Sequence, residues 1–329
     1  MLKRANELAC LGLGLTGSNP IVGAVVVGTG GKIIGEGFHQ SGPHAEVVAL
    51  EQAGQLANGA TLFVTLEPCS HQGKTGPCTE AIIKAGIAKV VYAVRDPNLL
   101  ASGGAKALEA AGIEVVLNTE VTEIAHSNRA WLHKIKNNRP YFIWKIATTL
   151  DGRTAAIDGS SKWITGPESR AEVSQLRSES SAILIGTATA LADNPNLIPR
   201  DLERTKQSNP VRIVMGLREV PGDFKLHNDA AETVFLRSHD FSELLKLCAE
   251  HDFNQVFVES GSELGTALLK AGLIDELIIF QAASLLGSGL SFIGDLGATN
   301  INEKMYFLIR DVAQFGNDLK ITLTKETGI

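Results

Sequence analysis

Residues 61–78 of the chain, TLFVTLEPCSHQGKTGPC, decide how its first part folds. The first six are threonine, leucine, phenylalanine or valine, a composition that predicts a buried strand over residues 61–66. Cys69 follows the end of that strand, and Cys78 comes nine positions later. The two thiols therefore flank one loop, which contains two glycines.

Strands and helices alternate on both sides of this stretch. The apolar spacing predicts a first helix that contains Leu2, Ala5 and Leu8 and ends near residues 12–17. Further helices are predicted over residues 44–56, 79–85 and 105–111, and strands over residues 21–27, 61–66, 89–94 and 113–117. Such alternation predicts a three-layer α/β domain that ends near residues 120–136.

A polar break, Asn137-Asn138-Arg139-Pro140, precedes a second series of elements. Predicted strands cover residues 141–147, 182–185, 211–215, 233–236, 255–258, 277–280 and 319–324, with helices over 169–177, 242–251 and 262–269. A chain of 329 residues exceeds the size at which a single core usually keeps growing. We therefore expect two α/β domains, over residues 1–138 and 139–329.

The composition excludes several classes of protein. Hydrophobic residues make up 44% and charged residues 20% of the chain, as in ordinary globular proteins. The formal net charge of −6 argues against broad binding to nucleic acid or anionic membranes, because such proteins usually carry a basic excess. No uncharged apolar stretch approaches the roughly 18 residues of a membrane span. Only four cysteines occur, which favours a reducing compartment, and we expect a cytoplasmic protein.

A histidine and an acid complete the set of candidate catalytic residues. His44-Ala45-Glu46 follows Pro43 where a helix is predicted to begin. The imidazole of His44 and the thiolates of Cys69 and Cys78 match the ligands of a catalytic zinc that keeps a fourth position for water. Singly, such cysteines are ordinary buried residues, and an acid such as Glu46 is common in a first helical turn. Together they predict a zinc deaminase, with Glu46 as the proton shuttle.

The surrounding segments resemble the deaminase half of the bifunctional deaminase/reductases of riboflavin biosynthesis. The resemblance lies in the eight residues between the cysteines, SHQGKTGP, and in Ser18-Asn19-Pro20, Gly37-Phe38-His39 and Asp96-Pro97-Asn98. It implies a cytidine-deaminase-like fold and a diaminopyrimidinone carrying ribose 5-phosphate as the substrate, deaminated at C2. Residues matching substrate-contact positions of the family are Asn19, His39, Lys74 and Asn98. The chain departs from the family in a shorter stretch between His39 and His44, and in Gly76, where a proline is customary.

The second half of the chain resembles the reductase half of the same family. The segments concerned are residues 145–153 (KIATTLDGR), 162–166 (KWITG), 191–195 (LADNP) and 258–261 (VESG). The resemblance implies a dihydrofolate-reductase-like α/β fold and reduction of the ribosyl group to ribityl by NADPH. The turn at Gly261, with Ser262 as a candidate N-cap, also presents a helix N-terminus suited to a phosphate group. No Gly-x-Gly-x-x-Gly fingerprint follows, so a Rossmann domain is disfavoured.

Family matching divides the reductase positions into two groups. Those on the cofactor side are Ala147, Trp163, Thr189, Asp193, Gly261, Ser262, Glu263, Leu264, Gly265, Thr266 and Ala267. Those on the substrate side are Lys145, Ser161, Arg177, Leu197, Arg200 and Glu259, where two arginines suit a phosphate because guanidinium groups bind its oxygens bidentately. The family commonly has Asp and then a small polar residue after the strand over residues 211–215. This chain has Gly216-Leu217, so that polar contact with the cofactor is lost or replaced.

Two alternatives share the zinc chemistry. A polynucleotide deaminase with a non-catalytic accessory domain would need a basic track or stacking aromatics, yet aromatic residues make up only 5% of the chain. A zinc-stabilised scaffold would normally have four protein ligands around its metal. Here only three ligands are predicted, and Glu46 beside the open position would have no role in a scaffold. The resemblance also implies small-molecule phosphoribosyl-pyrimidine substrates and a homo-oligomer.

Overall fold

The computed structural model describes residues 1–71, 76–98, 103–200 and 209–325. The chain forms two compact units, Met1–Asn138 and Arg139–Ile329. Within the described residues, no helix is both long enough and apolar enough to cross a bilayer.

The first unit is built on a five-stranded sheet with the order β2-β1-β3-β4-β5. Strand β1 is antiparallel to β2 and β3, whereas β3, β4 and β5 run parallel. The elements in chain order are α1 (Leu2–Cys10), β1 (Gly23–Val27), β2 (Ile33–Phe38), α2 (Ala45–Ala53), β3 (Thr61–Leu66), α3 (Cys78–Lys84), β4 (Lys89–Val94), α4 (Gly104–Ala110), β5 (Glu114–Leu117), α5 (Thr122–Ser127) and α6 (Arg129–Asn137).

Helices cover both faces of this sheet, as the three-layer expectation requires. Successive residues of a strand point to opposite faces. Thus Ala24 and Val26 pack in the core formed with α2, α3 and α4, while Val25 packs with Ala5 and Leu8 of α1. The predicted strands over residues 61–66 and 89–94 are confirmed to the residue.

Two glycines let α2 lie unusually close to the sheet. A Cβ atom on Gly35 would stand 2.1 Å from the carbonyl oxygen of Ala49, and one on Gly37 would stand 2.4 Å from that of Ala45. No side chain fits at either distance, so the backbone of α2 rests directly on β2. This contact fixes where α2 begins relative to the sheet.

The second unit contains an eight-stranded sheet with the order β10-β9-β8-β11-β6-β12-β15-β14, and a two-stranded sheet that pairs β13 with β7. The first six strands in this order, from β10 through β6 to β12, run parallel to one another. Strand β15 is antiparallel to β12, and β14 is antiparallel to β15. The elements are β6 (Tyr141–Thr149), β7 (Arg153–Ala155), α7 (Pro167–Glu179), β8 (Ala182–Gly186), α8 (Thr187–Asp193), β9 (Val211–Met215), β10 (Thr233–Leu236), α9 (Phe241–Glu250), β11 (Gln255–Val258), α10 (Ser262–Lys270), β12 (Glu276–Ala282), β13 (Leu290–Ser291), β14 (Phe307–Phe315) and β15 (Asp318–Lys325).

Several elements were not predicted, for identifiable reasons. Helix α8 follows β8 without a polar break, so no stop signal separates them. Strand β14 has largely exposed side chains and a register shift between Ile309 and Asp311, which removes the alternating pattern. Helix α6 ends at Asn137, and the left-handed φ of 52° at its C-cap Asn138 is typical of helix termination, so part of the polar break belongs to a helix end.

One prediction about a helix start is wrong. The N-cap of α10 is Gly261, in an extended conformation, and Ser262 is the first residue of the helix. No side chain caps this end, so its first amide groups are left for another acceptor.

Candidate active sites

Three metal-binding side chains converge in the first unit. His44 is the N-cap of α2, Cys78 is the first residue of α3, and Cys69 lies beyond the end of β3. The His44 Nδ1 atom lies 3.1 Å from the Cys78 Sγ atom and 3.5 Å from the Cys69 Sγ atom. All three ligand atoms lie within 4.8 Å of one another. Tetrahedral zinc with bonds of about 2.0–2.3 Å separates neighbouring ligand atoms by about 3.5–3.8 Å, so this donor set fits zinc.

The two thiols differ in acidity. The pKa of Cys69 is lowered to about 4, chiefly because the Cys78 thiol donates a hydrogen bond to it. The pKa of Cys78 is raised for the same reason, since losing its proton would break that bond. The backbone N–H of Cys78 also donates to the Cys69 Sγ atom, at 3.4 Å. A divalent cation between the two sulfurs would stabilise both as thiolates.

Glu46 is a buried acid beside these ligands. It lies in the first turn of α2 and is only 3% exposed. Burial raises the pKa of its carboxyl group above the usual range. A carboxyl group whose pKa is raised in this way is suited to taking up and releasing a proton during catalysis.

The structure brings Asn19 and His39 to the same place. The Asn19 side-chain amide donates to the Nε2 atom of His39 at 3.4 Å, and the Nδ1–H of His39 donates to the Pro43 carbonyl at 3.2 Å. Burial lowers the pKa of His39, which favours this neutral imidazole. The rings of His39 and His44 meet edge to face with centroids 5.4 Å apart. The two predicted substrate residues therefore adjoin the metal ligands.

Glu67 was not assigned a role from the sequence. Its buried carboxylate accepts hydrogen bonds from the backbone N–H groups of Asp96 at 3.4 Å, Gly103 at 3.3 Å and Ala105 at 3.1 Å. Asn98 is held in turn, because its N–H donates to the Asp96 carboxylate at 2.8 Å. Glu67 thus positions the segment that carries Asn98. Lys74 lies outside the described residues.

Asn128 is a second residue that sequence reasoning missed. Its side-chain amide pairs with the backbone of Ile21, accepting from the N–H at 3.0 Å and donating to the carbonyl at 2.6 Å. The side chain is buried, and the pairing fixes the backbone two residues after Asn19. Nothing in the local sequence signals a bond between residues 107 positions apart.

We expect Asn128→Ala to lower the free energy of unfolding of the first unit by about 1–3 kcal/mol, because the polar groups of Ile21 would lose their partners inside the protein. Urea unfolding measures this change. Asn137→Ala is the control, since Asn137 is exposed on α6 and bonds locally to His133. Equal effects of the two substitutions would contradict the role given to Asn128.

In the second unit, three charged residues meet at the centre of the large sheet. Arg177 of α7 binds Glu259 through two hydrogen bonds, Nε to Oε1 at 2.5 Å and Nη2 to Oε2 at 2.9 Å. Lys145 of β6 is half-buried; burial lowers its pKa, while the charge of Glu259 acts to raise it. Two nitrogens of Arg177 are therefore engaged by Glu259, which leaves Nη1 for another ligand.

The predicted cofactor segment forms the first two turns of α10. Gly265 packs on Trp144 so closely that a Cβ atom there would stand 2.0 Å from the indole ring. The Trp144 indole N–H donates to the Ser260 carbonyl at 3.4 Å. Gly261, by contrast, has open space, and the atom nearest to a Cβ there is Thr189 Oγ1 at 4.0 Å. The free amide groups and this open approach fit a cofactor phosphate.

The remaining predicted residues of this unit vary in accessibility. Trp163 is 67% exposed, and the Arg170 guanidinium lies 4.7 Å from its ring centre. Asp193, at the end of α8, forms an ion pair of 3.6 Å with Lys162.

The other predicted residues of this unit are more enclosed or offer their backbone. The Leu197 side chain is buried, so only the backbone of Leu197 could contact a ligand. The Arg200 backbone bonds to the Ser174 hydroxyl and its side chain is exposed, while Ala147 and Ser161 are half-buried.

Comparison with known proteins matches two families to this chain. Residues 140–321 match the RibD C-terminal domain, and residues 1–94 match the zinc-binding region of cytidine and deoxycytidylate deaminases. These two domains imply zinc and NADPH as cofactors, and the donor set and the start of α10 fit both.

Curated relatives resemble the chain over nearly its whole length. The riboflavin biosynthesis protein RibD of Mycobacterium tuberculosis is 42% identical, covering 94% of this chain and 92% of the relative. The RibD protein of Escherichia coli is 38% identical, with 98% of each chain covered.

Solved structures agree with these relatives. Form 1 of Acinetobacter baumannii RibD has a TM-score of 0.90 at 36% identity, covering 98% of this chain and 97% of that one. A Thermotoga maritima protein described as a diaminohydroxyphosphoribosylaminopyrimidine deaminase/5-amino-6-(5-phosphoribosylamino)uracil reductase has a TM-score of 0.89 at 35% identity, with the same coverage. The expected cytidine-deaminase-like and reductase folds are thereby confirmed. The chain belongs to the RibD family and is a bifunctional enzyme of riboflavin biosynthesis that joins a zinc-dependent deaminase to a reductase.

Proposed function

We propose that residues 1–138 deaminate 2,5-diamino-6-ribosylamino-4(3H)-pyrimidinone 5′-phosphate and that residues 139–329 reduce the ribosyl group of the product to ribityl. The observation that carries this proposal is the convergence of His44, Cys69 and Cys78 beside a buried Glu46. Three protein ligands leave a tetrahedral ion one open position, as a hydrolytic site requires.

In the deaminase, His44, Cys69 and Cys78 would hold zinc, which would supply activation of water for attack on the amino-bearing C2 atom. Glu46 accepts the proton that the water loses and delivers it to the departing ammonia. The C2–N bond breaks and a carbonyl group remains at C2, so water and substrate give ammonia and the pyrimidinedione. Asn19 and His39, which adjoin the cluster, hold the polar edge of the substrate. Lys74 and Asn98 complete the set of substrate contacts.

In the reductase, bound NADPH would supply a hydride to the imine carbon C1′ of the ring-opened ribosyl group, and the imine nitrogen would take up a proton from water. The amide groups at the start of α10 would hold the cofactor pyrophosphate, and Ala147, Trp163, Thr189 and Asp193 would line the rest of the cofactor site. Glu259, oriented by Arg177, accepts hydrogen bonds from the ribosyl hydroxyl groups. Lys145, Ser161, Leu197 and Arg200 complete the substrate side.

The properties proposed with this function follow from its small-molecule substrates. We assign the protein to the cytoplasm, where thiols stay reduced and available to metal. We also propose that the protein forms a homo-oligomer and has no nucleic-acid or membrane partner, as suits an enzyme that acts on small molecules.

A coupled assay tests the two-step proposal. On the diaminopyrimidinone, we expect one ammonia released for each NADPH consumed. On the already deaminated ribosylamino compound, we expect NADPH consumption without ammonia. NADPH consumption that proceeds on the diaminopyrimidinone before any ammonia appears would contradict the proposed order of steps.

A further inference from the structure

The segment that carries Trp163 lies between β7 and α7 in the second unit. Trp163 is one of the residues that family matching puts on the cofactor side, and its side chain is 67% exposed. Holding an exposed side chain in one orientation before a ligand arrives strengthens binding, because the cost of ordering that side chain is not then taken from the binding energy. A residue of α7 is placed to do this.

Arg170 of α7 contacts the segment at two points. The carbon of its guanidinium group lies 4.7 Å from the centre of the Trp163 ring, within the range of a cation–π interaction. Its Nη1–H donates to the Thr165 carbonyl at 2.7 Å. The hydrogen bond fixes the guanidinium group against the chain two residues beyond Trp163, and the ring contact then fixes the indole. The exposed remainder of the indole is available to a ligand.

The residue before Trp163 ties the same segment to α8. Lys162 forms its ion pair of 3.6 Å with Asp193, the last residue of α8. Thr189 of that helix provides the atom nearest to a Cβ at Gly261, where α10 begins. The ion pair therefore places the segment beside the helix that adjoins the proposed pyrophosphate-binding amide groups. This placement supports a contact between Trp163 and the cofactor.

A buried acid fixes the start of α7. Asp318, the first residue of β15, is 5% exposed and accepts hydrogen bonds from the Gly166 N–H at 2.7 Å and the Ser169 hydroxyl at 2.6 Å. Gly166 is the N-cap of α7, so Asp318 supplies the carboxylate that a glycine cap lacks. Arg170 follows Gly166 by about one helical turn. Asp318 thus fixes the position from which Arg170 reaches Trp163.

We propose that Arg170 is a positioning residue of the reductase, which holds the Trp163 indole in the orientation that contacts NADPH. This inference rests on the proposed reductase activity and on the cofactor role of Trp163. Without Arg170 the indole would rotate more freely, and binding of NADPH would have to order it. The loss should therefore appear in cofactor binding and leave hydride transfer from bound NADPH nearly unchanged.

Steady-state kinetics on the deaminated ribosylamino compound test the inference. In Arg170→Ala we expect the KM for NADPH to rise about three- to thirtyfold while kcat stays within about twofold of the wild type. Trp163→Ala should raise the KM at least as much, and adding Arg170→Ala to it should cause no further rise, because Arg170 acts through the indole. Gln175→Ala is the matched control, since Gln175 lies on the same helix and bonds locally to Glu179 at 2.7 Å.

Acrylamide quenching of tryptophan emission reports the state of the indole without any turnover. The other two tryptophans, Trp131 and Trp144, are 7% and 1% exposed, so Trp163 supplies most of the quenchable emission. Arg170→Ala should raise the quenching constant of the free protein, and NADPH should lower it again. Arg170→Lys should give values between those of the wild type and Arg170→Ala, because an ammonium group can also lie over the ring. This variant keeps the test open if Arg170→Ala does not fold.

Three results would overturn the inference. One is an unchanged KM for NADPH in Arg170→Ala, and another is an equal rise in Gln175→Ala. The third is a further rise when Arg170→Ala is added to Trp163→Ala, which would show that Arg170 acts on the cofactor without the indole. Calorimetry of the wild type with NADPH is run alongside. Binding of NADPH together with any of these results removes only this inference, whereas no binding would remove the proposed reductase activity.

Discussion

Glu46→Gln is expected to slow ammonia release about 10²–10⁴-fold while the protein keeps its zinc and its reductase activity. Glutamine has nearly the shape of glutamate but cannot accept and return a proton, and general acid–base catalysis contributes a factor of this size. The substitution also removes a buried acid whose pKa is raised by burial, so the fold of the first unit should tolerate it. Steady-state ammonia release and metal content measure the two effects.

The control is Glu51→Gln on the same helix. Glu51 is exposed and lies one and a half turns from Glu46, so its loss should leave ammonia release within about twofold of the wild type. The reductase is assayed on the deaminated compound, which does not require the first site. A fall in both activities with Glu46→Gln would contradict the assignment of the two reactions to separate units.

Cys69→Ala is expected to reduce the zinc content from about one ion per chain to near zero and to abolish deamination. The reason is that only His44 and Cys78 would remain as protein ligands, too few for a stable site. His44→Ala should give the same result by removing the only imidazole ligand. Metal content by mass spectrometry gives the direct measurement.

Cys10→Ala is the matched control, because Cys10 lies on α1 and its thiol donates to the Ser127 hydroxyl at 3.6 Å. It should retain the full zinc content. Reductase activity on the deaminated compound shows whether each variant protein has folded. Zinc that persists in Cys69→Ala at the wild-type level would remove Cys69 from the ligand set.

The metal ligands could be predicted because their chemistry is carried by residue type. His44, Cys69 and Cys78 stand where a helix begins or a strand has ended, and sequence periodicity locates these points well. Glu46 was found in the same way, two positions from a ligand. The ligand set could therefore be proposed without knowledge of how the strands pair.

Glu67 and Asn128 could not be found by the same reasoning. Both act on backbone groups of segments distant in sequence, and backbone groups look alike in every sequence. Their roles depend on which segments the fold brings together. Edge strand β14 was missed because exposure on both faces removes the periodic signal on which strand prediction depends.

The close approach of α2 to β2 has a consequence for how the enzyme can vary. Ligand geometry at His44 depends on a main-chain contact with Gly35 and Gly37, two residues that bear no chemistry of their own. Enlarging either one would push the whole helix outward and carry the imidazole with it. A search for variants that fail to retain metal should therefore recover changes at these glycines as readily as changes at the ligands. Metal retention would then depend on the sequence of β2 as well as on the three ligand residues.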